Sequence, residues 1–216
     1  MALRAIIKNI IQRIDMLSPH PFFYPFVMSR DEKIAFDEAI GKSGNYLEFG
    51  LGGSTLRALQ RSEAKIYTVE SSPEWIGHMR KYFILRRSEN KRLHIFPVNI
   101  GPTGDWGYPE PGNDPDLFAA YSSSVFDSID RKSIDLVLVD GRFRVACILK
   151  IILSCHDNQQ LNILIHDFWN RQQYHVVLKY LDVIKKVDSL GVFSIKDDID
   201  MESVQKDYES YKLDPE

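Results

Sequence analysis

The chain reads as an α/β protein: a three-layer sandwich with a mostly parallel sheet, helices on both faces, and an added N-terminal amphipathic helix. Two observations predict this. From Asp31 to Ile195, short apolar runs suited to buried strands alternate with segments of helical periodicity. Strands spaced by helices of that length pair in parallel and are covered on both sides. In addition, 216 residues with 44% apolar content suffice for one full core.

The elements follow in order. In MALRAIIKNIIQRIDML, Leu3, Ile6, Ile7, Ile10, Ile11, Ile14 and Leu17 share one helical face, with Arg4, Lys8, Gln12 and Arg13 opposite. This helix is expected to pack on the domain or on a partner subunit in a homo-oligomer, with a membrane-surface role as the rival. LSPHPFFYPFVMS, rich in proline and large aromatics, makes a wrapped arm or lid, so residues 1–30 form an N-terminal unit. Residues 31–196 hold the alternating domain. RDEKIAFDEAI is a helix, NYLEF a strand, STLRALQRS a helix capped by Ser54 or Thr55, KIYTV a strand and PEWIGHMRKYFILRR a helix with proline in its first turn. LHIFPV is the third strand. The Gly- and Pro-rich NIGPTGDWGYPEPGNDPD is too irregular for an element, and its length marks a functional loop. IDLVLVD and LNILIHD are strands around the helix RVACILKIILSC; QQYHVVLKYLDVIKKV is expected as a helix and GVFSI as a last strand. The polar tail, 197–216, is expected as a helix packed on the domain.

Bulk properties exclude some classes. A net charge of -3 carries no footprint for nucleic acid. No apolar run reaches the roughly 20 residues of a membrane span. Two cysteines, Cys147 and Cys155, show neither disulfide-scaffold nor metal-ligand spacing and suit a reducing cytoplasm.

In open parallel sheets, ligands bind outside the carboxyl ends of the strands. At those ends fall the loop GLGGS, Glu70, Asn99, Asp140, His166 and Asp167. Gly50 and Gly52 match the start of a dinucleotide loop, but Thr55 stands where the third glycine belongs. Glu48, just before the glycines, would repel a pyrophosphate at the rim of the site and attract an ammonium. S-adenosylmethionine carries that ammonium and no phosphate. Glu70, 22 residues after Glu48, can take both ribose hydroxyls of an adenosine-bearing ligand.

These residues resemble the pattern of class I S-adenosylmethionine-dependent methyltransferases, written here as Glu48-Phe49-Gly50-Leu51-Gly52-Gly53-Ser54 and Val69-Glu70-Ser71-Ser72. VDGRFR and HDFWNR look like a small methyltransferase-like branch. The resemblance covers residues 31–196 and implies a Rossmann-like domain. It implies that Glu48, Gly50, Gly52, Gly53 and Ser54 lie near the methionine part, Glu70 and Ser71 near the ribose, and Asn99 near the adenine.

Methyl transfer needs an oriented, deprotonated acceptor. Catechol-type and some sugar O-methyltransferases bind a divalent ion at the ends of strands four and five, and here Asp140, Asp167 and Asn170 offer oxygen ligands suited to Mg²⁺. Phe168, where those families carry Asp or Asn, departs from the pattern. A metal-free site with Asp140 or His166 as base is equally open, as is a structural role in which Asp140 caps a helix and His166 is a core histidine. Arg142, Arg144 and Arg171 can grip an anionic group, and Trp106 can stack on an acceptor. The expected function is O-methylation of a small molecule, with Asp140, His166 and Asp167 facing the acceptor. The rivals are a non-catalytic adenosylmethionine-binding protein of the same fold and a nicotinamide-dependent oxidoreductase.

Overall fold

A computed structural model describes residues 10–216; Leu3, Ile6 and Ile7 of the predicted amphipathic face lie outside them. Seven strands form one sheet in the order β3-β2-β1-β4-β5-β7-β6. They are β1 (Asn45–Phe49), β2 (Lys65–Glu70), β3 (Leu93–Pro97), β4 (Leu136–Val139), β5 (Asn162–Ile165), β6 (Leu181–Val187) and β7 (Leu190–Ile195). The first five are parallel; β7 runs antiparallel to both β5 and β6. The helices are α1 (Arg30–Ile40), α2 (Gly53–Arg61), α3 (Pro73–Met79), α4 (Phe83–Ser88), α5 (Ala119–Ser123), α6 (Arg144–Cys155) and α7 (Met201–Tyr211).

Local chemistry explains the boundaries. Ser29 and Glu32 close a reciprocal capping box at the start of α1. Ser72 caps α3, whose first residue is Pro73. The central strands β1, β2, β4 and β5 are buried on both faces, so alternate residues feed two cores. Leu47 and Phe49 enter the one shared with α6 and α7, and Tyr46 the one shared with α1 and α2. On α6 nine of twelve residues are buried, Cys147 and Cys155 among them, which is why its sequence is apolar nearly all round. The tail holds helix α7, which seats Val204 and Tyr208 against α6.

Three readings are corrected. QQYHVVLKYLDVIKKV is a 3-10 turn, Gln172–Lys179, followed by strand β6. Helical spacing there is overridden by pairing of β6 with β7 across a hairpin with Asp188 in the left-handed region (φ 50°). PEWIGHMRKYFILRR is two short helices, because Tyr82 leaves the helical path and the Phe83 N–H goes to Met16 O at 2.7 Å. Finally, α2 is not capped by Ser54 or Thr55: its cap position is Gly52.

Residues 10–15 are helical, but Ile10, Ile11, Ile14 and Leu17 face solvent rather than the domain. The segment is attached through Met16 and through Asp15, whose carboxylate accepts the Phe22 and Phe23 N–H groups. The aromatic arm wraps as expected. Tyr24 and the Pro21 carbonyl bond to Gln60, the Phe23 carbonyl accepts from the Tyr82 hydroxyl, and Phe26 packs edge-on against Phe36.

Candidate functional site

Strand order reverses between β1 and β4, and there the backbones touch: a Cβ on Gly50 would stand 3.0 Å from Gly141 Cα. Gly50 has φ 107°, open to glycine alone among residues without strain. The loop it begins is tied from below. Glu48 is fully buried, and its carboxylate accepts hydrogen bonds from Tyr46 Oη and Ser54 Oγ, both at 2.8 Å, and from Thr55 Oγ1. Thr55 Oγ1 in turn accepts the Gly52 N–H at 2.9 Å. Glu48 therefore does not stand at a rim facing an ammonium; through Thr55 it fixes the course of the loop. Burial pushes its carboxyl up to about 7 against the opposing pull of those hydroxyls.

The glycines divide their work. A Cβ on Gly53 would run into Pro25 O and Phe26, so Gly53 admits the arm. A Cβ on Gly52 would meet open space, and this is the loop position a ligand can approach. Across the loop, Glu70 is 8% exposed, and its Oε1 accepts the N–H groups of Ser71 (2.7 Å) and Ser72 (2.9 Å). Burial raises its carboxyl above the ordinary value. Asn99 is exposed beyond β3 and bends the chain by accepting the Gly101 N–H at 3.0 Å.

Beside the loop lies a chain of charges. Asp140, after β4, takes His166 Nδ1 at 2.9 Å and Arg144 Nη2 at 3.2 Å on the same Oδ1. Behind His166 stands Glu32, with Oε2 3.6 Å from Nε2. Glu32 reaches there from α1 while its Oε1 accepts from Ser189 N, Ser189 Oγ and Leu190 N on the β6–β7 hairpin. Asp167, in the left-handed region at φ 59°, pairs with Arg144 and Arg171, each at 3.4 Å. Burial opposes charge on both members of the central pair. It is outweighed: Asp140 lies below the ordinary carboxylate value, and His166 above the ordinary imidazole value.

The fold matches known proteins. A methyltransferase-like protein from Silicibacter pomeroyi superposes with a TM-score of 0.77 at 26% identity, over 89% of this chain and 98% of that one. The fold is that of the class I methyltransferase-like superfamily. At 17% identity, the S-adenosylhomocysteine-bound Podospora anserina methyltransferase PaMTH1 shares it with a TM-score of 0.54 over 79% of this chain and 80% of its own. So does a putative caffeoyl-CoA O-methyltransferase from Staphylococcus aureus, at 16% identity and 0.53, over 80% and 86%. No protein-family model and no curated protein matches the sequence.

Within this class I methyltransferase-like fold, the acceptor side departs from a metal centre. The Arg144 guanidinium, 3% exposed, lies between Asp140 and Asp167, where a shared Mg²⁺ would need to sit. Asn170 is an exposed turn residue. The described residues contain no group of three His, Cys, Asp or Glu side chains able to hold a metal. These residues do not fit Mg²⁺. Nor is His166 placed as a free base, since both ring nitrogens face carboxylates.

Of the four candidate acceptor contacts, Arg144 and Arg171 are engaged with acids, and Trp106 is 82% exposed at the tip of the 100–114 loop. That loop is ordered by Asn113, whose amide donates to Ile100 O and Pro102 O. Arg142 lies beneath Tyr108, its guanidinium 4.1 Å from the ring centre. Glu32 and Tyr121 escaped the sequence reading. Only Glu32 had a signal, the Ser29–Glu32 capping spacing, and that signal reports a helix start rather than a partner for His166.

Proposed function

We propose that the protein transfers the methyl group of S-adenosylmethionine to a hydroxyl of a small molecule. The observation that carries this reading is Glu70: a nearly buried carboxylate at the end of β2 whose two short backbone bonds both land on Oε1. That leaves Oε2 to accept ribose hydroxyls beside a glycine loop with open space at Gly52. The S-adenosylhomocysteine complex of the Podospora enzyme, built on the same fold, supports the cofactor. The residues present fit it.

When bound, the cofactor supplies an electrophilic methyl group on a sulfonium. The chain's part is positioning. Gly50 and Gly52 admit the ligand to the backbone, and Glu48 holds the loop through Ser54 and Thr55. Glu70 and Ser71 orient the ribose, and Asn99 borders the adenine. Asp140 would face the acceptor with its Oδ2, since Oδ1 is occupied, orienting the acceptor hydroxyl by a hydrogen bond and taking its proton as the methyl is transferred and S-adenosylhomocysteine leaves. His166 and Arg144 fix Asp140 from behind, while Asp167 completes the wall. No described helix is long and apolar enough to cross a membrane.

Calorimetric titration with S-adenosylhomocysteine tests the reading. Micromolar binding in the parent that weakens at least tenfold in Glu70→Ala is expected, and no binding by a folded parent overturns it. Methyl transfer from labelled cofactor, lost in Asp140→Asn while binding is kept, separates the enzyme from a non-catalytic binder.

A further inference from the structure

Arg142 is 7% exposed, yet its Nε and Nη1 are buried without a hydrogen-bond partner among the described residues. Buried guanidinium nitrogens are ordinarily paired, and an unpaired one marks a missing acceptor. The acids around it are taken. Asp140 pairs with His166 and Arg144, Asp167 with Arg144 and Arg171, and the Glu216 carboxylate accepts from the Tyr108 hydroxyl. No described carboxylate lies within ion-pairing distance of Arg142. The N–H groups next to it are also occupied: Phe143 N donates to Pro215 O at 3.2 Å and Arg144 N to Glu216 O at 3.0 Å. At this turn the guanidinium is therefore the donor left to offer.

Its position is beside the glycine loop. Arg142 follows Gly141, which abuts Gly50 of the cofactor loop, and its own N–H reaches Tyr121 Oη at 3.4 Å. Phe143, in the left-handed region at φ 54°, turns the chain between Arg142 and α6. Over the guanidinium lies the ring of Tyr108, whose hydroxyl donates to the Glu216 carboxylate at 3.1 Å. A ligand anion that moves this cover replaces one cation–π contact with charge-assisted hydrogen bonds, the stronger interaction.

We infer that the acceptor carries an anionic group, a carboxylate or a phosphate, and that Arg142 binds it beneath the Tyr108 cover. This rests on the methyl-transfer reading for the word acceptor; the anion site itself does not. Arg142 is then a specificity residue that selects anionic over neutral acceptors of the same shape.

The test uses the full chain at constant ionic strength, titrated separately with inorganic phosphate, benzoate and S-adenosylhomocysteine, as the parent and as Arg142→Gln and Arg142→Lys. The expected result is saturable binding of phosphate or of benzoate, which names the source. That binding falls at least tenfold in Arg142→Gln, is partly kept in Arg142→Lys, and leaves S-adenosylhomocysteine affinity unchanged. Binding of neither anion, or equal binding by parent and Arg142→Gln, overturns the inference. Should the variants fail to fold, crystals of the parent soaked in selenate or 4-bromobenzoate decide. An anomalous peak beside the Arg142 guanidinium supports the site, and none there overturns it. Anion binding that depends on Arg142 in a parent unable to bind S-adenosylhomocysteine would remove the methyl-transfer reading and leave the anion site standing.

Discussion

His166 Nδ1 lies 2.9 Å from Asp140 Oδ1, and the other ring nitrogen faces Glu32 at 3.6 Å. Burial pulls the imidazole's value down, but the hydrogen bond and charge of Asp140, with the charge of Asp167, outweigh burial and the opposing Arg144 and raise it. Because its native value is raised, the stability His166 contributes is fully present below its unfolded value of about 6.5. It is lost as pH rises through the native value. The difference in urea-unfolding free energy between the parent and His166→Gln should be about 1–3 kcal/mol at pH 6 and shrink by pH 9. A difference that grows with pH would contradict the clamp.

Glu48 shares that direction for a different reason: burial favours its neutral form rather than its charged one. A carboxyl raised to about 7 by burial favours folding while protonated, so its contribution declines as pH climbs from the unfolded value to 7. Glu48→Gln, which keeps an acceptor and carries no charge, should flatten that part of the stability profile and match or exceed the parent at pH 8. Glu48→Ala strands three buried hydroxyls and should cost about 2–4 kcal/mol at every pH. Chemical unfolding at pH 5.5 and 8 distinguishes the two.

Neighbouring glycines should fail in different ways. Gly52→Ala adds a methyl to open space on an extended backbone, so the melting temperature should hold while S-adenosylhomocysteine affinity falls about tenfold, or 1.4 kcal/mol. Gly53→Ala collides with Pro25 and Phe26. It should free the arm, which limited proteolysis would read as new cleavage between residues 18 and 28. Identical behaviour of the two variants would sink this division.

Arg144→Met leaves Asp140 and Asp167 without their shared cation. Removing one partner from a buried ionic set costs about 3–5 kcal/mol, and a denaturant midpoint unchanged from the parent would show that the acids find other partners. Since the guanidinium holds the place of a metal, chelation should leave both S-adenosylhomocysteine affinity and methyl transfer unchanged. Activity lost to chelator and restored by Mg²⁺ would overturn that assignment.

What the sequence by itself determined were features written in local pattern. Apolar runs located β1 to β5 and β7; in β1, β2, β4 and β5 the run is continuous because a strand inside a parallel sheet is covered on both faces and needs no alternation. The carboxyl-end placement of Gly50, Glu70, Asp140, His166 and Asp167 followed from where those runs stop. Tertiary structure decided how these side chains are used. Glu48 was legible as an acid before glycines, but its direction depended on the hydroxyls of Tyr46, Ser54 and Thr55 and on which core that face of β1 enters. The Glu32–His166 contact joins residues 134 positions apart, and the Arg144 bridge exists only once β4 and β5 lie side by side. Strand β6 likewise shows helical spacing in isolation and becomes a strand through the hydrogen bonds β7 offers. Contacts between distant segments have no period to read, so which carboxylate meets which cation, and that Arg142 meets none among the described residues, is settled only when the chain is packed.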